Sequence, residues 1–524
     1  MDRQLGARAS GAAAGQVEPR ELLTVFVLAV AVALVSAVVV PLGFQGRDDL
    51  HYLLAAEQWL RNGVSIGQDH WSNRLPYVLS IAALRPIAGS WERALFLLHS
   101  ICFVTTATLM WLIARRTFAE RSIAWWGLAV FLATPLLFRY VSTFYPEPFE
   151  VALAAVTAWM VLVRKDVRSR IPWLLVAGVV GGLVLSVRQT ALALPAAFAA
   201  IILLDEDEPF GARVRDVACL AAGYAVPVLA ELAYYWAMTG DPLHRLSVDT
   251  RHVELVSPDR LEGGVPPAST RVLFNWDLAS RWRIPSTVRS HWTISPIVRL
   301  FTSPGMLLTP WFALAGGLFA WRMGPRARQL ALLVLLTVAV QYLLNTFVLS
   351  LPPNTRYFGL SLALMAVLAG VAFKQIPNRV IRLGAYVLLF AIPCAVAAMV
   401  QSRANVTDSL EREGGQGRPL YLAPRVANVV ALRLKDDAGF ASHVSTATPP
   451  ANGTLAAFAY ERPGYLKQVC GDGQPAFADA GTLLPPPSFW DAAQGSDLAR
   501  HLPKKAASLL EGEAEPLYLL RRRC

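Results

Sequence analysis

Two adjacent carboxylates, Asp48 and Asp49, follow the first long apolar stretch of the chain and lead directly into Leu50, His51 and Tyr52. A carboxylate held at a membrane boundary can accept a proton from an attacking hydroxyl, and ionisable groups at such boundaries usually mark a site. Four further polar segments recur at the ends of apolar runs: Asn73-Arg74-Leu75-Pro76, Tyr145-Pro146-Glu147-Pro148, Arg188-Gln189-Thr190 and Asn354-Thr355-Arg356-Tyr357. Arginine donates in a planar fork that fits phosphate or carboxylate, so these segments supply cations to hold an anion beside an acid that can take a proton.

Positioning such groups requires a membrane scaffold, and the composition specifies one. Of the 524 residues 55% are hydrophobic and only 16% charged, with a mean hydropathy of +0.42, values foreign to a soluble domain. The net charge of +11 does not point to nucleic acid, because the basic residues punctuate apolar runs instead of forming a stripe. Apolar stretches near residues 22–42, 94–114, 122–139, 148–163, 171–187, 189–204, 216–238, 304–321, 329–350, 357–373 and 380–400 predict about eleven membrane spans. Basic clusters at Arg115–Arg121, Arg164–Arg170, Arg322–Arg328 and Lys374–Arg382 fall in alternate short connections and define a cytoplasmic side. This reading gives a cytoplasmic segment 1–20, a membrane domain 21–401 and an external domain 402–524. The expected fold is an all-α polytopic membrane protein with a small external α/β domain, in the cell (inner or plasma) membrane.

Two external loops are long, residues 43–93 and 239–303, and long loops tend to carry function. The first holds a short interfacial helix opened by Asp48 and a half-apolar segment, Leu75 to Ile87, that Pro76 and Pro86 suit to a re-entrant or interfacial position. The second carries Arg245, Arg251, Arg271, Arg281, Arg283 and Arg289 and is expected to cover the site as a lid or to rest on anionic headgroups. Beyond Gln401 the sequence is richer in Gly, Pro and charge, with strands expected at Leu455 to Tyr460 and Leu517 to Leu520 and a helix at Ala423 to Leu434. Cys470 and Cys524 lie in this polar region, where a disulfide and two free thiols are both open.

The alternation of acidic and basic segments on one membrane face resembles the GT-C superfamily of integral-membrane glycosyltransferases, which includes protein O-mannosyltransferases and the lipid A aminoarabinose transferase. Asp48-Asp49-Leu50-His51-Tyr52 looks like the family's acidic pair after the first span, with Asp where Glu is common in the second place. Asn73-Arg74-Leu75-Pro76-Tyr77 resembles its basic-plus-proline segment, with one proline in place of two. The resemblance implies an inverting transfer of sugar from a polyprenyl-phosphate donor to a glycan, lipid or protein acceptor, with the lipid bilayer as the medium and no nucleic acid involved. On that reading Asp48 and Asp49 are catalytic, Asp48 as base. Arg74, Glu147, Arg188, Arg356, Tyr357, His51 and Tyr52 would bind substrate, and a divalent cation, Mg or Mn, stays open as a helper.

Each of these residues also has a plainer role. Asp48 or Asp49 can cap the interfacial helix, Glu147 can be a solvated loop residue, and Arg74, Arg188 and Arg356 can snorkel to lipid phosphates. His51 and His70 lack metal-ligand spacing, and Trp59, Trp71, Trp276, Trp282 and Trp292 suit an aromatic belt as well as a sugar platform. A transporter or flippase of lipid-linked saccharides is the alternative function, and such folds carry internal repeats that this sequence lacks.

Overall fold

A computed structural model describes residues 17–39, 48–255, 295–348, 355–395, 410–483 and 517–524, apart from short interior stretches. Arg47, Asn354, the arginines 271–289 and Trp276, Trp282 and Trp292 lie outside the described residues. Among the described residues the membrane part is helical throughout. It comprises α1 (Pro19–Val39), α2 (Asp48–Asn62), α3 (Leu75–Ala88), α4 (Trp91–Thr117), α5 (Arg121–Leu132), α6 (Pro135–Phe138), α7 (Glu147–Leu162) and α8 (Arg170–Val187). It continues through α9 (Leu194–Leu203), α10 (Phe210–Thr239), α11 (His244–Leu255), α12 (Ser295–Thr302), α13 (Thr309–Met323), α14 (Pro325–Leu343), α15 (Gly359–Gln375) and α16 (Arg379–Tyr386).

Among the described residues six stretches are long and apolar enough to cross a membrane: Pro19–Ala37, Trp91–Thr117, Arg170–Val187, Phe210–Thr239, Pro325–Phe347 and Thr355–Gln375. Arg121–Leu132 and Pro135–Val141 make a seventh if the pair, bent by 70°, acts as one span. The bend falls where Pro135 removes a backbone donor and disfavours helix in Thr134. The other stretches expected to span are helical but shorter; α9 begins only after a 3₁₀ turn, Gln189–Ala193, and α7 has 16 residues. About eleven spans were expected, and the described residues provide six or seven of full length.

Without a hydrophobic force between helices in lipid, close packing falls to small residues. A Cβ on Gly178 of α8 would lie 2.2 Å from the Leu220 carbonyl oxygen of α10, and one on Gly223 of α10 would lie 2.0 Å from that of Leu175. Any side chain at either glycine would force α8 and α10 apart. The helices of the first long loop are seated separately: Tyr52, Leu53 and Ala56 of α2 and Tyr77, Val78 and Ile81 of α3 form an apolar cluster with Leu95, Leu98 and Cys102 of α4. That cluster fixes the height and direction of α2, and so of Asp48 and Asp49 at its start.

Beyond residue 410 a five-stranded sheet forms from β1 (Leu420–Leu422), β2 (Val444–Ser445), β3 (Thr454–Phe458), β4 (Phe477–Thr482) and β5 (Leu517–Arg522), in the order β2-β1-β3-β5-β4. The first three pair in parallel, and β5 runs antiparallel to β3 and β4. Leu420, Leu422, Leu455, Phe477, Leu517 and Leu520 supply its core with Phe440. Cys470 and Cys524 are joined as a disulfide, with Cα atoms 6.1 Å apart, while Cys102, Cys219 and Cys394 in the helical part are free.

Candidate active site

The two carboxylates expected from sequence occupy the first turn of α2, where the positive end of the helix dipole favours them. They differ in exposure. Asp49 is 2% exposed and its Oδ1 accepts from the Leu50 backbone N–H at 3.1 Å, whereas Asp48 is half-buried and open to solvent. Both charges reach Tyr145, and with burial as the larger cause they push its phenol up to about 12.

Glu147 opens α7, and Glu150 lies three residues on, hence on the same face one turn later. Arg188 stands where α8 ends, its backbone extended at φ −152° and ψ 138°, which breaks the helix and turns its side chain toward α7. Its Nη1 lies 3.2 Å from Glu147 Oε1 and 3.2 Å from Glu150 Oε2. Thr190 Oγ1 donates to Glu150 Oε1 at 3.4 Å. Arg356, on the 3₁₀ turn Thr355–Phe358 that precedes α15, places Nε 3.2 Å from the same Glu147 oxygen. The Tyr357 ring lies under both cations, 5.0 Å from the Arg188 guanidinium and 5.6 Å from that of Arg356. Two carboxylates and two guanidiniums thus balance, and the quartet is neutral.

Arg74 is held differently. Asp69 accepts from the Ser72 N–H and hydroxyl, both at 2.7 Å, and the Asn73 amide donates to the Asp69 carbonyl at 3.0 Å, which folds the loop ahead of α3. Burial opposes ionisation of Asp69, but hydrogen bonds from His51 and Ser72 outweigh it and bring its carboxyl down to about 2. From this loop Arg74 Nη1 donates to the Tyr52 hydroxyl at 2.5 Å and its guanidinium sits 5.4 Å from the Tyr52 ring. Burial raises the Tyr52 phenol, so Arg74 faces a neutral partner. Among the described residues Arg74 makes no ion pair.

The sequence-derived residues therefore converge in one place, with one exception. Asp48, Asp49, Tyr52, Arg74, Glu147, Arg188, Arg356 and Tyr357 are linked by contact or by short-range charge. His51 instead turns to Asp69, its Nδ1 3.2 Å from Oδ2, and stacks on Trp71 with ring centroids 4.1 Å apart. It braces the Arg74 loop. Glu150 joins the site without having been singled out, its three-residue spacing from Glu147 being the signal available, while Tyr145 and Thr190 belong to segments named from the sequence but were given no role there. As for a divalent cation, Glu147 already answers to two guanidiniums, and no group of three His, Cys, Asp or Glu residues converges among the described residues.

The start of the second long loop is pinned beside this cluster. Arg245 Nη1 donates to Glu231 Oε1 of α10 at 2.7 Å, His244 Nε2 lies 3.2 Å from the Gly67 carbonyl oxygen, and the Gln189 amide donates to Asp249. Burial raises the Asp249 carboxyl to about 6 against the pull of Arg245 and Arg74. An apolar cavity of ≈ 540 Å³ opens between α8, α9 and α10, lined by Val184, Leu185, Leu192, Phe198, Leu220 and Tyr224 among others. Its upper lining residues, Leu185 and Leu192, flank Arg188 in the chain.

The overall arrangement of helices is similar to that of a solved structure of ArnT. ArnT from Cupriavidus metallidurans bound to undecaprenyl phosphate aligns with a TM-score of 0.50 at 14% identity, over 84% of this chain and 94% of that one. Residues 75–231 match the dolichyl-phosphate-mannose-protein mannosyltransferase family. ArnT in the apo state gives a TM-score of 0.48 at 15% identity, over 79% and 75% of the two chains. The Archaeoglobus fulgidus oligosaccharyltransferase in complex with zinc and sulfate gives 0.47 at 14% identity, over 79% and 61%. No curated protein matches the sequence.

Proposed function

We propose that this protein is an inverting membrane glycosyltransferase that takes a sugar from a polyprenyl-phosphate carrier and passes it to a hydroxyl of a glycan, lipid or protein acceptor. One observation carries the reading: Arg74, a cation without a carboxylate ion-pair partner among the described residues, is held on Tyr52 of the helix that the acidic pair opens. A phosphate needs charge from the protein; Arg188 and Arg356 have already spent theirs on Glu147 and Glu150, and Arg74 has not. The acceptor oxygen attacks the anomeric carbon, the bond from that carbon to the phosphate oxygen breaks, and the polyprenyl phosphate leaves with the electron pair. Asp48 takes the acceptor proton. Arg74 stabilises the charge gathering on the leaving phosphate, the term that usually dominates such a transition state.

The expected outcome is that the purified protein binds undecaprenyl phosphate in detergent micelles and that Arg74→Ala weakens this binding by about 10- to 100-fold, the loss of a charge-assisted hydrogen bond of about 1.5–3 kcal/mol. Equal affinity in wild type and Arg74→Ala, or no binding by wild type, would rule the lipid-carrier site out.

We further propose that the site and the domain beyond residue 410 face the outside of the cell membrane. Support comes from the Cys470–Cys524 disulfide, since such bonds persist in oxidising compartments, and from the basic connections read as cytoplasmic. Protease added to cells with a permeabilised outer envelope should remove this domain while sparing the connections around Arg115 and Arg164. A C-terminal domain that resists until the inner membrane is lysed would reverse the orientation.

A further inference from the structure

The long helix α14 does not end as an α-helix: its last turn, Leu344–Val348, is π-helical, a distortion that recurs at functional sites. Inside it Asn345 is 4% exposed, and among the described residues neither its amide nitrogen nor its amide oxygen finds a hydrogen-bond partner. The neighbouring Thr346 hydroxyl is also buried without a partner. Native proteins leave few such groups, because an unmade hydrogen bond on a buried polar group costs about 1–3 kcal/mol. One turn earlier the contrast is plain. Gln341 is as deeply buried but accepts from the Ser361 hydroxyl of α15 at 2.6 Å.

That bond sets the height of Asn345. The two helices are successive and run in opposite directions, so four residues on from Gln341 in one corresponds to four residues back from Ser361 in the other, which is Tyr357. Tyr357 is the ring under Arg188 and Arg356. The π-helical turn also packs against Gln189–Ala193, the segment that follows Arg188, and α14 packs against Thr355–Phe358. Asn345 therefore stands between the two segments that carry the site's arginines, with donor and acceptor capacity unused.

We infer that Asn345 is a further donor-binding residue, its amide nitrogen donating to a phosphate oxygen of the polyprenyl-phosphate headgroup. This deepens the lipid-carrier reading and rests on it. A neutral amide suits the place: the quartet already balances its charges, and an added cation would compete for Glu147. The amide oxygen is left to accept from a hydroxyl of the sugar that the phosphate carries.

The test compares wild type, Asn345→Leu and Asn345→Ala, purified in detergent, by thermal unfolding without ligand and by titration with undecaprenyl phosphate. Leucine has nearly the shape of asparagine and no hydrogen-bonding groups. Without ligand the Asn345→Leu protein should unfold at the wild-type temperature or above it, because the substitution removes an unsatisfied buried amide. Its dissociation constant for undecaprenyl phosphate should nevertheless rise about tenfold or more, the worth of one hydrogen bond to a charged group. Asn345→Ala should show the same rise and decides the matter if the leucine variant does not fold. Wild-type affinity in the folded variants would overturn the inference while leaving the carrier site standing. Unfolding of both variants well below wild type would also overturn it, by making Asn345 a structural residue. Failure of wild type itself to bind undecaprenyl phosphate would remove the reading on which it rests.

Discussion

Asp48→Asn is expected to reduce sugar transfer by about 10²- to 10⁴-fold, the usual contribution of a positioned general base, while the protein inserts and purifies as wild type does. The reason lies in the different settings of the paired acids. Asp48 is half-buried at the open start of α2, so exchanging its carboxylate for an amide of the same shape removes a proton acceptor without opening a cavity. The lost charge in the first turn costs the helix about 0.3–1 kcal/mol, too little to unfold a segment whose other face is fixed by Tyr52, Leu53 and Ala56. Asp49 is 2% exposed, so Asp49→Asn should lower both turnover and thermal stability. The readout is release of polyprenyl phosphate from a lipid-linked sugar in proteoliposomes. Wild-type turnover in both variants would remove the acidic pair from the chemistry.

Arg188→Ala should be the most damaging single change to the site as a structure. Arg188 is 5% exposed and its guanidinium is shared by Glu147 and Glu150, themselves 3% and 5% exposed. Taking it away leaves two buried carboxylates to one remaining partner, Arg356. Breaking a buried pair in this way costs about 3–5 kcal/mol, seen as a large fall in unfolding temperature in detergent together with loss of turnover. Arg188→Lys keeps the charge but loses the planar guanidinium that covers Tyr357, so it should restore stability only in part. The companion variant separates the two effects. Adding Glu150→Gln to Arg188→Ala removes the surplus charge and should recover stability without recovering transfer, and a double variant no more stable than the single would show that the quartet is not held by charge balance.

Much of this site is legible in the sequence because its chemistry falls at the ends of apolar runs, and run ends can be read without knowing the fold. Asp48, Arg74, Glu147, Arg188 and Arg356 are all of that kind. What pattern cannot show is direction. His51 belongs to the same five-residue segment as Asp48 and Tyr52, yet it points to Asp69 and Trp71. Asn345 lies inside a run read only as a membrane span, and the pairing of Gln341 with Ser361 gives it a height. The cavity between α8, α9 and α10 is a matter of how three helices pack and not of composition. Helix boundaries are hidden for a similar reason: hydropathy sees apolar residues through Pro135 and Pro195, whereas the backbone breaks or begins a helix there. In the polar region strands are expected at Leu455 to Tyr460 and Leu517 to Leu520 and form at 454–458 and 517–522, but nothing in either segment tells that the two lie side by side.

That pairing governs how the domain comes to exist. β5 lies between β3 and β4 in space but follows both in the chain, so β3 and β4 cannot close on each other as a hairpin when they first emerge. β4 has no neighbour until a segment some way further along the chain arrives to separate it from β3. Assembly of this sheet is therefore a non-local event, slow by the measure of contact order and late in synthesis. By then the membrane helices, built from local contacts, are already in place. Until β5 arrives, β4 stands without a strand neighbour, a stage at which proteases and chaperones would meet an unpaired edge.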